Sequence, residues 1–142
     1  MPTSNSTHTA TAPTVLVVDD DTLTRLLVTN ILNDHGMHAI PATCAKEAIA
    51  IIDELDKEPN LIISDVVMPD MTGFEMLQTI EEQHRPIKTL FMTGSSFYAD
   101  EWDYIDSLQP PVLMKPFRKS ELLSHVSRIL ELPPLNKCSN PA

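Results

Sequence analysis

Five short apolar runs, each followed by a segment with helical periodicity, constrain the fold of this chain more than any other feature of its sequence. The runs lie at 15–18, 37–40, 61–63, 87–92 and 112–114. Apolar runs of this length are typical of parallel strands buried on both faces, and right-handed crossovers then place helices on both sides of the sheet. The pattern therefore predicts a doubly wound α/β fold with a five-stranded parallel sheet, built as (βα)5.

The alternating pattern occupies residues 14–132, and the segments on either side of it lack apolar periodicity. Residues 1–13 are rich in Thr, Ser and Pro, and residues 133–142 are similarly polar. Such segments cannot offset the entropy that ordering them would cost. We therefore predict one domain over 14–132, a disordered N-terminal segment at 1–13 and a flexible tail at 133–142, with no DNA-binding or enzymatic output module.

Charge and cysteine content argue against several classes of protein. The 142 residues include 20 Asp and Glu against 10 Lys and Arg, a net charge of −10, which disfavours binding to nucleic acid or to a membrane surface. Cys44 and Cys138 belong to no metal-binding or disulfide pattern. The apolar runs are far shorter than the roughly 20 residues of a membrane helix, and no leader pattern opens the chain. We expect a soluble, cytoplasmic protein.

Polar or chemically capable residues follow four of the five predicted strands. In strand order these residues are Asp19, Asp20 and Asp21, then Asp65, then Thr93 and Gly94, and finally Lys115. In an open parallel sheet the ligand crevice lies beyond the carboxyl ends of the strands, so these side chains should converge. The second strand supplies none, which a strand order of 2-1-3-4-5 explains by placing it at an edge.

Carboxylates gathered in one crevice repel each other unless a cation joins them. With oxygen ligands only, the crevice suits a hard ion, and Mg²⁺ fits better than a full Ca²⁺ cage. Lys115 supplies a positive charge for a phosphoryl oxygen, Thr93 supplies a hydroxyl donor, and Gly94 lets a bulky anion approach closely. A carboxylate beside a metal ion and a lysine is a competent nucleophile for phosphorus, so we predict that Asp65 accepts a phosphoryl group.

Four motifs resemble those of the receiver domains of two-component response regulators. They are VLVVDDD at 15–21, DVVMPDMTG at 65–73, FMTGSS at 91–96 and MKPF at 114–117, in the order typical of the family. The resemblance implies a flavodoxin-like fold and a cis peptide bond before Pro116. It also implies the following roles: Asp65 as phosphoacceptor, Thr93 as switch hydroxyl, Lys115 as phosphate-binding lysine, and a Mg²⁺ site formed by Asp19 through water, Asp20, Asp65 and the carbonyl of Val67.

The same resemblance implies a signalling switch rather than an enzyme. A histidine kinase or histidine phosphotransfer protein would supply the phosphoryl group. A downstream protein would then contact the face formed by the fourth predicted helix, the fifth strand and the last helix, with the chain a monomer or a phosphorylation-dependent dimer. Phe97 and Tyr104 form a candidate docking stripe on the fourth predicted helix.

Three alternatives remain open at this point. The chain could be a phosphorelay intermediate or the receiver fragment of a larger regulator. It could be a Mg²⁺-dependent aspartyl phosphohydrolase, although such enzymes typically carry an acid two residues after the nucleophile, where this chain has Val67. It could also be an interaction module that is not phosphorylated.

Overall fold

The computed structural model of the protein describes residues 12–94 and 111–132. Five strands and four helices follow one another in these residues: β1 (Thr14–Val18), α1 (Thr22–Asp34), β2 (His38–Ala42), α2 (Ala45–Glu54), β3 (Leu61–Asp65), α3 (Gly73–Glu81), β4 (Thr89–Thr93), β5 (Val112–Met114) and α4 (Lys119–Leu130). Helix α4 corresponds to the fifth predicted helix. The fourth predicted helix with its Phe97 and Tyr104 stripe, the segment 1–11 and the predicted tail at 133–142 lie outside the described residues.

The sheet is parallel throughout and has the order β2-β1-β3-β4-β5, which confirms the predicted fold and strand order. Strand β2 begins and ends later than the apolar run at 37–40, because all five of its residues pair with β1. It therefore includes Pro41, which cannot donate a hydrogen bond to a ladder. Its place at the edge of the sheet makes that proline tolerable.

Apolar side chains alternate between the two faces of the sheet and build a separate core on each. On one face Val15 and Val17 of β1 pack with residues of α1 and α4. On the other face Leu16 and Val18 pack with residues of α2 and α3. The largest fully buried side chains include Phe91, Leu16, Leu32, Ile52, Leu61, Ile62, Ile63 and Met76. Burial on both faces is what fixes the strand register, since a slip by one residue would exchange the two cores.

The turn from α1 to β2 depends on Gly36, which has a φ of 84°. The N–H of Gly36 donates to the carbonyl of Asn33, and the N–H of Met37 donates to the carbonyl of Leu32. This is the hydrogen-bond pattern with which a left-handed glycine ends a helix. Gly36 therefore ends α1 and turns the chain into β2.

Candidate functional site

The carboxyl ends of four strands meet at one edge of the sheet. Val18 of β1 pairs with Ser64 of β3, so Asp19 and Asp65, the residues that follow this pair, lie at the same level. The N–H of Lys115, the residue after β5, donates to the carbonyl of Thr93 at the end of β4, over 2.7 Å. The strand register therefore brings the residues predicted for the site to a single edge.

Three carboxylates form a cluster at this edge. One carboxylate oxygen of each of Asp19, Asp20 and Asp65 lies within 4.8 Å of the other two. Asp19 is fully buried, the side chain of Asp65 is 14% exposed, and Asp20 is exposed. Because like charges this close disfavour full ionisation, such a cluster favours a bound cation, and the all-oxygen donor set could hold a divalent metal ion.

The ammonium of Lys115 joins two of these carboxylates. Its Nζ donates to Oδ2 of Asp19 over 2.8 Å and to Oδ2 of Asp65 over 3.1 Å. Burial would lower the pKa of Lys115, but the hydrogen bond to Asp19 and the charge of Asp65 raise it above its ordinary value. The lysine is therefore protonated at neutral pH. The peptide bond from Lys115 to Pro116 is cis, as the motif implied.

Burial also perturbs the carboxyl group of Asp65. Loss of solvent raises the pKa of Asp65, the charge of Lys115 lowers it, and the charge of Asp19 raises it further, so that the pKa lies above its ordinary value. An ionised Asp65 in this position is poorly solvated. A poorly solvated carboxylate is a better nucleophile and ligand than one covered by water.

Thr93 and Gly94 lie beside this cluster. The side chain of Thr93 is buried, and its Oγ1 has no hydrogen-bond partner in residues 12–94 and 111–132. A buried hydroxyl without a partner is costly, so its position calls for an acceptor other than these described residues. Gly94 and Lys115 line a cleft of about 350 Å³, whose other walls are Thr24, Leu27, Pro116 and Phe117.

Three consecutive aspartates, Asp19 to Asp21, form the turn from β1 to α1, and they make different contacts. Asp21 caps α1, because its Oδ2 accepts from the N–H of Thr24 over 3.1 Å. The guanidinium of Arg25 donates to the main-chain carbonyl of Asp19 over 2.7 Å and holds the turn from the helix side. No sequence pattern marks Arg25, because the contact depends on the angle at which α1 leaves the strand.

Val67 lies in the loop between β3 and α3. Its N–H donates to Oδ1 of Asp65 over 3.4 Å, and the N–H of Val66 donates to the carbonyl of Met92 in β4 over 3.0 Å. The first residues of this loop therefore lie beside the carboxylate of Asp65 and the end of β4. The predicted contribution of the Val67 carbonyl to an ion site stays a prediction.

Gly73, at the start of α3, packs so closely against the site that a side chain would disturb it. A Cβ at this position would lie 2.6 Å from the main-chain oxygen of Asp65, and 3.1 Å from a ring carbon of Phe91. We expect Gly73→Ala to lower the free energy of unfolding by about 2 kcal/mol, as measured by chemical denaturation. The control is Gly94→Ala, because a Cβ there would meet no described atom within 4 Å. A Gly73→Ala loss as small as that of the control would contradict the expectation.

This fold and this arrangement of aspartates, threonine and lysine define a receiver domain. The chain matches the family model for the response regulator receiver domain over residues 15–127 and belongs to that family. The family consists of signalling domains and is not a classical enzyme family.

The similar proteins differ widely in length. An uncharacterized 14.6 kDa protein of Leptolyngbya boryana is 36% identical, over 84% of this chain and 92% of that protein. The sensor kinase CckA of Brucella abortus is 31% identical over 89% of this chain, which matches only 13% of the kinase. The chemotaxis response regulator CheY4 of Vibrio cholerae has a similar structure, with a TM-score of 0.73 and 30% identity, covering 84% of this chain and 99% of that one. In the described part of the chain, every helix is too short or too polar to cross a bilayer.

Proposed function

We propose that this protein is a phosphorylation-dependent signalling switch whose phosphoacceptor is Asp65. The observation that carries the proposal is the contact between the carboxylate of Asp65 and the ammonium of Lys115 inside a cluster of three aspartates. The buried hydroxyl of Thr93 beside this cluster, which has no hydrogen-bond partner in the described part of the chain, supports it. Together these groups offer a nucleophile and two donors for the oxygens of a transferred phosphoryl group.

The residues of the cluster fit Mg²⁺, because three carboxylate oxygens and a main-chain carbonyl are the hard ligands that this ion prefers. Asp19, Asp20, Asp65 and the carbonyl of Val67 would hold it. When bound, the ion neutralises negative charge on the phosphoryl group and on the carboxylates. The set includes no histidine or cysteine, which disfavours softer metals.

The reaction is a transfer between two nucleophiles. An oxygen of Asp65 attacks phosphorus, the bond from phosphorus to the donor's imidazole nitrogen breaks, and the imidazole leaves with its electron pair. Lys115 stabilises the charge on the phosphoryl oxygens, since its ammonium already lies 3.1 Å from Asp65. Thr93 donates its hydroxyl hydrogen to the same group, and Gly94 leaves room for it.

A histidine kinase or histidine phosphotransfer protein is the proposed phosphodonor. Helix α1 exposes Leu23, Leu26 and Leu27, and the last of these also lines the cleft at Lys115. Contiguous exposed leucines beside a reactive site are typical of a protein-binding surface. A donor protein seated there could present its phosphohistidine to Asp65.

Output is proposed to leave by protein contact, through the face formed by β5, α4 and the predicted helix before β5. A difference in affinity of about 1–3 kcal/mol between the two phosphorylation states would make a usable switch. Four further points remain predictions: the stand-alone role, the place as a phosphorelay intermediate, the choice between monomer and phosphorylation-dependent dimer, and the cytoplasmic location.

The test is to incubate the protein with acetyl phosphate, with Mg²⁺ or with EDTA, and to map any covalent phosphoryl group by mass spectrometry after reduction of the acyl phosphate with borohydride. We expect one phosphoryl group per chain on Asp65, only when Mg²⁺ is present. Failure to incorporate phosphate at saturating Mg²⁺, or its appearance on another residue, would reject the proposal.

A further inference from the structure

The loop between β3 and α3 is fastened through Asp70, a residue within it, to a different helix. Oδ2 of Asp70 accepts a hydrogen bond from the N–H of Lys46 over 2.9 Å, and Oδ1 accepts from the N–H of Ala45 over 3.3 Å. These are the first two N–H groups of α2. The same Oδ1 accepts from the N–H of Met71 over 3.1 Å, so the carboxylate also shapes its own loop.

Helix α2 depends on this outside carboxylate because its own cap position is occupied by Cys44. The Cys44 side chain makes no capping hydrogen bond, and a thiol is a weak acceptor in any case. A negative charge at a helix N-terminus is stabilised by the free N–H groups and by the helix dipole. Burial would raise the pKa of Asp70, but the hydrogen bonds from Lys46 and Ala45 lower it below its ordinary value.

Asp70 lies five residues after Asp65 and three after Val67 in the same loop. At its start the loop is tied to β4 by Val66, and at its end the N–H of Gly73 donates to the carbonyl of Val66 over 2.8 Å. Between these ties Met68 is buried in the core cluster that also contains Ala45 of α2. The contact of Asp70 with α2 therefore ties the loop to α2 between its two ends.

We propose that Asp70 is a positioning residue for the reaction at Asp65: by capping α2 from the neighbouring loop, it holds the Val67 carbonyl where the metal ion needs it. The inference rests on the proposed function and adds a residue to it. Asp70 itself contacts neither Asp65 nor Lys115 in the hydrogen bonds of the site. Its effect is expected on the affinity for Mg²⁺ rather than on the chemical step.

The experiment compares wild type with Asp70→Ala, with Cys44→Ser, with the double variant and with Asp56→Ala, which changes an exposed aspartate of the loop between α2 and β3. Calorimetric titration measures Mg²⁺ binding to the unphosphorylated proteins, and thermal melting in EDTA measures stability. Phosphorylation by acetyl phosphate is followed over a range of Mg²⁺ concentrations. Cys44→Ser is included because a serine at the cap position can accept from the first turn of α2 and restore its stability without Asp70.

We expect Asp70→Ala to weaken Mg²⁺ binding about fivefold, to raise the Mg²⁺ concentration for half-maximal phosphorylation by the same factor, and to leave the rate at saturating Mg²⁺ within about twofold. The double variant should regain the melting temperature of wild type and keep the weakened Mg²⁺ binding. Asp56→Ala should match wild type in every measurement.

Two results would overturn the inference. One is Mg²⁺ binding by Asp70→Ala that equals wild type, and the other is full recovery of Mg²⁺ binding in the double variant, which would reduce Asp70 to a stabiliser of α2. Wild-type protein that takes up no phosphoryl group would instead reject the proposed function, and the calorimetric result would still decide the effect of Asp70 on ion binding.

Discussion

Replacing Asp65 with Asn is expected to abolish Mg²⁺-dependent phosphoryl uptake while making the ion-free protein more stable. An amide is not a nucleophile for phosphorus, so labelling by acetyl phosphate should fall by at least about a thousandfold. Stability should rise because burial and the charge of Asp19 together outweigh the favourable charge of Lys115 at this carboxyl group. We expect the melting temperature in EDTA at neutral pH to increase by about 3 °C.

The pH dependence of this gain follows from the direction of the pKa shift. Because the pKa of Asp65 is raised in the folded protein, wild type loses stability as the pH rises from the ordinary pKa of an aspartate through the higher pKa of Asp65 in the folded state. The Asn variant does not lose stability in this way, because its amide does not ionise. Its advantage in melting temperature should therefore be full at neutral pH and shrink as the pH falls, when Asp65 of wild type becomes protonated.

The matched control for this experiment is Asp56→Asn, which makes the same chemical change at an exposed position. It should retain phosphoryl uptake and shift the melting temperature very little. Labelling of Asp65→Asn at the wild-type level would show that another residue accepts the phosphoryl group. A lower melting temperature for Asp65→Asn in EDTA would show that the pair with Lys115 outweighs the burial of the carboxylate.

The fold and the gathering of the site were accessible from the sequence because both follow from topology. Once the apolar runs indicated parallel strands, the residues after them had to face one crevice, whatever the details of packing. The register places Asp19 and Asp65 at the same level, because each follows one member of the directly paired residues Val18 and Ser64. Strand ends were less accessible, since the extent of β2 is set by its pairing with β1 and not by its own hydrophobicity.

Side-chain contacts across separate elements were not accessible from the sequence. Three consecutive aspartates look alike in the sequence, but Asp19 is buried, Asp20 is exposed and Asp21 caps α1. The cap that Asp70 provides for α2 joins residues 24 and 25 positions apart. The available signal was a negative one, namely that α2 begins after Cys44, a residue that caps poorly.

Replacing Lys115 with Met should strengthen the binding of Mg²⁺ and weaken phosphoryl transfer to Asp65. The ammonium of Lys115 occupies Oδ2 of both Asp19 and Asp65, two of the groups that would hold Mg²⁺. Because a bound lysine and a bound metal ion neutralise the same charges, they oppose each other's binding. Calorimetric titration should therefore show Mg²⁺ affinity higher by about tenfold in the variant. Labelling by acetyl phosphate should fall by about 10²–10³-fold, since a donor to the phosphoryl oxygens is lost.

The same substitution should destabilise the protein when no divalent ion is present. Asp19 is fully buried, and within residues 12–94 and 111–132 the variant leaves its carboxylate one hydrogen bond, from the N–H of Asp21 over 2.9 Å. Removing one partner of a buried ion pair typically costs about 3–5 kcal/mol, because a charge remains buried without its counterion. We expect a loss near the lower end of this range in EDTA, since the Lys115 side chain is itself 21% exposed to solvent.

Mg²⁺ should then restore most of the lost stability, so the melting temperature of Lys115→Met should respond to Mg²⁺ more strongly than that of wild type. The control is Lys57→Met, which removes an exposed lysine and should change stability by less than about 0.5 kcal/mol. Equal responses to Mg²⁺ in wild type and Lys115→Met would mean that the lysine and the ion do not share the carboxylates. That outcome would remove the electrostatic basis for placing both beside one phosphoryl group.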